Sequence, residues 1–153
     1  MDTTYSQRSY RRTAVQEASP AGLVVILYDL LVEDLQAAIH AIGCGDIEQR
    51  SRFLKHALLV LQLLEGGLDM DQGGAAARSL AAFYNYVRRE LLDAQFRNDA
   101  DILALQVRLV LDVREAWRTV DTRNAPSAAA FPPALTVQYL DDLELRDPTQ
   151  WSA

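Results

Sequence analysis

A chain of 153 residues, half of them hydrophobic, is long enough for one domain with a single core and too apolar to be a disordered segment. Its formal net charge of −6 argues against nucleic acid as the main partner, and no apolar run reaches the roughly 18 to 20 residues that span a bilayer. Cys44 is the only cysteine, which excludes an intrachain disulfide and makes a cytosolic location the default expectation, as does the lack of a basic-then-apolar secretory signal at the N-terminus.

Residues 1–18 are polar and carry Arg8, Arg11 and Arg12 against Asp2 and Glu17. They read as an extended or partly helical leader. The first helix is expected from about Ser19 to Ile42. Ser19 is a good N-cap and Pro20 suits the first helical position. Leu23, Leu27, Leu30, Leu31, Leu35, Ala38 and Ile42 form its core face, opposite a polar stripe of Asp29, Glu33, Gln36 and His40. So much of its circumference is apolar that it needs neighbours on several sides. Gly43-Cys44-Gly45 ends it.

Asp46 caps a second helix to about Leu68, whose seam is Ile47, Leu54, Leu58, Leu61, Leu64 and Leu68. The polar stripe of Glu48, Arg52 and Lys55 continues into Leu59 and Leu63, which point away from a simple bundle core. A loop bracketed by Gly66-Gly67 and Gly73-Gly74 follows. The third helix, about Ala75 to Arg97, buries Ala77, Leu80, Tyr84, Val87 and Leu91, with Phe83 and Tyr86 beside that face. The fourth, about Asp101 to Val120, turns Ile102, Leu109, Val113, Trp117 and Val120 inward.

Four amphipathic helices joined by short loops predict an all-α fold, an antiparallel up-down-up-down four-helix bundle over residues 19–121. Residues 1–18 precede it as a cap segment, and 122–153 follow it as an extension. That extension holds Leu135, Tyr139, Leu140 and Leu143 at the spacing of a short amphipathic helix, with Arg146 against Asp141, Asp142, Glu144 and Asp147.

Chemistry is sparse. Neither His40 nor His56 has a Glu three residues before it, as bundle metal sites require. Cys44 has no basic or histidine partner nearby in sequence to activate a thiol. No nucleotide-binding glycine motif and no nucleophile elbow is present. Asp69, Asp71 and Gln72 lack the closing Glu of a calcium loop, and Asp29, Glu33 and Asp34 read as a solvated stripe. No catalytic, cofactor or metal residue is expected. What remains is surplus apolar surface, with Leu59, Leu63, Phe83 and Tyr86 as candidates for a groove that takes a partner helix. Cover by the leader, by the tail or by a second copy of the chain explains the same surplus.

Three blocks of residues resemble the FliS family of flagellin export chaperones. The first is Tyr10, then Val15-Gln16-Glu17-Ala18-Ser19-Pro20-Ala21-Gly22-Leu23, then Leu27-Tyr28-Asp29. The second is Leu63-Leu64 and Gly67-Leu68-Asp69, then Gly73-Gly74, Ala76, Leu80 and Tyr84-Asn85-Tyr86. The third is Leu91-Leu92-Asp93-Ala94, then Asp99, Leu109, Val113 and Trp117. Order and spacing fit over about residues 5–120. Phe83, Ser79 and Gln95 depart from residues usual in the family, and the tail beyond Asp121 has no counterpart there.

The resemblance implies an antiparallel helical bundle without enzymatic activity or cofactor. It implies a cytoplasmic chaperone that binds the disordered C-terminal segment of flagellin, blocks premature polymerisation and aids delivery to the flagellar type III export gate. It also makes Tyr10 the candidate plug of the client surface. The competing expectations are a homo-oligomeric scaffold or adaptor whose apolar surface is a self-interface, dimeric when unloaded, and a bundle enzyme or metal protein. A tail that competes with the client through Leu135, Tyr139, Leu140 and Leu143 is a further expectation.

Overall fold

The computed structural model describes residues 9–14, 16 and 18–122. Its long elements are α1 (Pro20–Cys44), α2 (Ile47–Gly66), α3 (Gly74–Arg97) and α4 (Ala100–Thr122). They belong to one compact unit; residues 9–14, also helical, belong to a second. The tail expected to compete for the client lies outside the described residues.

Local chemistry sets the helix ends. Ser19 Oγ accepts the Gly22 N–H at 3.0 Å, and Pro20 follows where no amide hydrogen is needed. At the other end of α1, Gly45 adopts φ 70°, and the Asp46 N–H reaches back to the Ala41 carbonyl at 2.9 Å. This left-handed turn is one a side chain enters only at a cost. Asp46 then caps α2 by accepting the Gln49 N–H at 3.0 Å. Before α3, Asp69 Oδ1 accepts the amides of Asp71 and Gln72, and the chain doubles back tightly. A Cβ on Gly73 would sit 2.6 Å from both the Ala77 Cβ and the Asp69 carbonyl oxygen. Neither of those atoms can swing aside, so only glycine fits. Asn98, at φ 55°, ends α3.

The helices form an antiparallel four-helix bundle. Arg50 near the start of α2 bonds to Asn98 at the end of α3, Asp34 and His56 meet midway along α1 and α2, and Asp29 in the first half of α1 pairs with Arg114 in the second half of α4, as antiparallel neighbours do. Helix α1 packs on both α2 and α4, and α3 completes the ring against α2 and α4 less extensively. Eleven residues of α1 are buried against five of α3. That asymmetry follows from the sequence. Helix α1 is apolar on most sides and becomes the central helix, whereas the buried face of α3 is two alanines, Tyr84, Val87 and Leu91.

Four expectations from the sequence need correction. Ile47 belongs to the seam by spacing, yet it is 67% exposed, because it opens α2 where no other helix covers it. Asp34 belongs to a solvated stripe by spacing, yet it is buried and bonded to His56 Nδ1. His56 is thus no mere surface polar group. In α4 the deepest residues are Leu103, Gln106, Val107, Val110 and Trp117, while Ile102, Leu109 and Val113 are half-buried. The α4 core face is rotated from the predicted one, and the Asp29–Arg114 ion pair to α1 at 2.5 Å marks where it points.

Candidate partner-binding surface

Three aromatic side chains fix the frame on which the surface is displayed. Tyr28 of α1 and Tyr84 of α3 touch hydroxyl to hydroxyl at 2.7 Å across the bundle centre, with ring centroids 6.3 Å apart. The Trp117 side chain of α4 hydrogen-bonds to Tyr28. Because an indole N–H can only donate, the Tyr28 oxygen is the acceptor in its contact with Trp117, while either hydroxyl can donate in the bond between Tyr28 and Tyr84. Burial raises the pKa of both tyrosines, that of Tyr84 up to about 12. Burial disfavours a phenolate, so both stay protonated well into the alkaline range. This cluster joins three of the four helices, but it is buried and offers nothing to a partner.

The surface side chains lie elsewhere. Leu59 and Leu63 on α2 and Phe83 on α3 are half-buried, Tyr86 is 39% exposed, and the Phe83 ring packs 6.0 Å from that of Tyr84. Their directions follow from the ion pair between Glu65 and Arg88, which marks the sides on which α2 and α3 face each other. At about 100° per residue, Leu63 lies roughly 160° from Glu65 around α2, and Phe83 roughly 140° from Arg88 around α3. The four residues are therefore not brought into one cleft between α2 and α3. Leu59 and Leu63 occupy an outer flank of α2, and Phe83 and Tyr86 an outer flank of α3. Tyr10, within the helical residues 9–14, is exposed.

The structure also exposes apolar residues to which the sequence reading gave no surface role. Phe96 is 91% exposed and Leu92 50%, and Leu105 and Leu111 of α4 are exposed as well. Phe96 and Leu92 are one turn apart on α3, a spacing that was available as a signal. They are easily passed over because Tyr84, Val87 and Leu91 already supply a complete core stripe on that helix.

No group of three or more His, Cys, Asp or Glu side chains capable of holding a metal occurs among the described residues. Contrary to the expectation that Cys44 has no histidine nearby, its Sγ lies 3.6 Å from His40 Nε2 on the surface, because four residues along a helix bring the two side chains together. No described helix is long and apolar enough to cross a membrane. What this surface can do chemically is bury the apolar side chains of another chain.

The family model described as flagellar protein FliS matches residues 1–124. The flagellar secretion chaperone FliS of Salmonella typhimurium is 32% identical over 120 residues, covering 78% of this chain and 88% of the relative. That of Bacillus subtilis is 29% identical over 110 residues, covering 72% and 81%. The flagellar secretion chaperone FliSB of Pseudomonas aeruginosa is 28% identical over 103 residues, covering 67% and 82%. With a central α1 capped by Ser19 and carrying Tyr28, an α3 carrying Tyr84 and an α4 carrying Trp117, this chain belongs to the FliS family of flagellar secretion chaperones.

Proposed function

We propose that this protein is a cytoplasmic export chaperone that binds the disordered C-terminal segment of flagellin, keeps it from polymerising prematurely and aids its delivery to the flagellar type III export gate. The observation that carries the reading is apolar side chains displayed on the outer flanks of α2 and α3 of a folded bundle, in a member of the flagellar secretion chaperone family. Because Leu59 and Leu63 lie on one flank and Phe83 and Tyr86 on another, the client wraps the bundle instead of filling one cleft. Wrapping suits the energetics. Buried apolar area contributes about 25 cal/mol per Å², and ordering a disordered segment costs about 2 to 5 kcal/mol or more. A tight complex therefore needs a large contact area. Tyr10 is the leader residue we assign to covering part of this surface before a client arrives.

Calorimetry with the C-terminal segment of the flagellin encoded by the same organism tests the assignment. Leu59→Asp and Leu63→Asp should each weaken binding by about tenfold or more, since each puts a charge where an apolar side chain is buried. Both residues turn away from the core, so the circular dichroism of the bundle should not change. Tyr10→Ala should tighten binding if that ring competes with the client. Unaltered affinity in both aspartate variants overturns the flank assignment. The second reading, a self-interface, is favoured by Leu105 and Leu111, exposed apolar side chains of α4. Light scattering that finds a dimer both with and without flagellin would support it in place of the chaperone reading.

A further inference from the structure

One side of α3 has a pattern that client binding on the flanks does not use. Arg78, Ala82, Asn85, Arg89, Leu92 and Phe96 recur at alternating intervals of four and three, the spacing of a coiled-coil seam, and all six are exposed. The stripe spans about 27 Å of helix at 1.5 Å per residue. Its first part is cationic and its last part apolar. Ile47 extends the apolar end, because the hydrogen bond from Arg50 to Asn98 holds the start of α2 beside the end of α3. No acid stands on the stripe, in a chain whose net charge is −6. Arg78 and Arg89 have no ion partner among the described residues, unlike Arg88 and Arg97, which pair with Glu65 and Asp93. The stripe lies on the side of α3 nearer α2, well round the helix from Phe83, and it borders the client flank only at Tyr86, one turn from Ala82 and Arg89.

We propose that this stripe is a second docking surface, distinct from the flanks assigned to flagellin, and that its occupant is an amphipathic helix of a partner protein, apolar at one end of its seam and acidic at the other. Leu92, Phe96 and Ile47 anchor the apolar end. Arg89 and Arg78 take the acidic end and so fix the direction in which the helix lies. A second copy of the same stripe does not fit. Parallel pairing sets Arg78 and Arg89 against their own copies, and antiparallel pairing sets the cationic end of each against the apolar end of the other.

The test uses the full-length protein and two labelled synthetic helices of about 20 residues, matched in length to the stripe. One places leucines to meet Leu92 and Phe96 and glutamates to meet Arg89 and Arg78; the other has lysines in place of the glutamates. Fluorescence anisotropy should show the acidic helix binding about tenfold or more tighter than the basic one, and more weakly in about 500 mM than in about 50 mM salt. Phe96→Asp should weaken the acidic helix by about tenfold. Arg89→Glu should weaken the acidic helix and strengthen the basic one, a reversal that mere misfolding cannot give. Equal binding of the two helices, no binding of either, or indifference to Phe96→Asp overturns the proposal. If the acidic helix binds only after Leu140→Asp and Leu143→Asp, the occupant is this chain's own tail and the external partner is overturned. Flagellin binding unchanged by Phe96→Asp supports two separate surfaces, whatever becomes of the flagellin assignment itself; its loss refutes the separation.

Discussion

Raising the pH above 10 should unlock the bundle through Tyr28 and Tyr84. In the unfolded chain each phenol titrates at its ordinary value of 10.0, whereas in the folded chain burial holds Tyr84 near 12 and Tyr28 higher still. Between those limits the unfolded chain has released protons that the folded chain keeps. Stability therefore falls as pH rises; the contribution is whole below pH 10 and is lost on the way to the folded pKa. Each tyrosine changes the folding equilibrium by about tenfold per pH unit in that window, so the pair gives about hundredfold per unit. Urea unfolding of the wild type, Tyr28→Phe, Tyr84→Phe and the double variant, followed from pH 8 to pH 11.5, reads this slope. One substitution should halve the logarithmic slope and both should abolish the tyrosine part of it. Groups present in every variant cancel in the comparison between them.

The same variants at pH 8 measure the hydrogen bonds. Either single substitution leaves a buried hydroxyl or the Trp117 N–H short of a partner, at a cost of about 1 to 3 kcal/mol. The double variant should cost less than the sum, because the second hydroxyl is already deprived when it is removed. If the wild type and the double variant have parallel stability curves up to pH 11.5, the hydroxyls are reaching water and the buried cluster is refuted.

Two further outcomes follow from buried polar side chains. Gln106 is fully buried in α4 and neither its carboxamide nitrogen nor its oxygen has a hydrogen-bond partner among the described residues, so Gln106→Leu should raise the urea-derived stability by about 1 to 2 kcal/mol; a loss would show that the amide is paired in solution. His56→Ala takes one partner from the buried Asp34 carboxylate and should destabilise by about 1 to 2 kcal/mol, less than for a fully buried pair because the imidazole is partly exposed; an unchanged denaturation curve would mean that the pair contributes nothing.

How much was legible in the sequence depended on whether the deciding interaction was local. Ser19, Pro20, Gly45 and Asp46 act on amides within a few residues of themselves, so the ends of α1 and the start of α2 could be read directly. The core faces of α1 and α3 followed from period, because a polar stripe marks the outside of α1 and one apolar sector dominates α3. Helix α4 has apolar residues at Ile102, Leu103, Leu105, Val107, Leu109, Val110, Leu111 and Val113, so more than one seam satisfies the period. Which seam turns inward is decided by packing against the other helices, and the Asp29–Arg114 pair lies along the seam that does. Asp34 and His56 are 22 residues apart, and nothing in either local pattern announces that a charge in a polar stripe will be buried against a ring from the next helix.

The residues that mark the family and the residues available to a partner are largely different sets, and packing explains why. Tyr28, Tyr84 and Trp117 carry much of the resemblance, and they meet in the bundle centre, where a hydroxyl must find its partner or pay for desolvation. Few alternatives satisfy that geometry, so such positions are readable as motifs. A partner surface obeys no comparable rule. Phe96 in solvent violates nothing local, and the seam from Arg78 to Phe96 is legible as a stripe only once the core of α3 is known to lie on its other side. Family membership thus specifies the frame more tightly than the surface. The binding chemistry peculiar to this chain has to be sought where its side chains meet no constraint from the bundle: on the outer flanks of α2 and along the exposed stripe of α3.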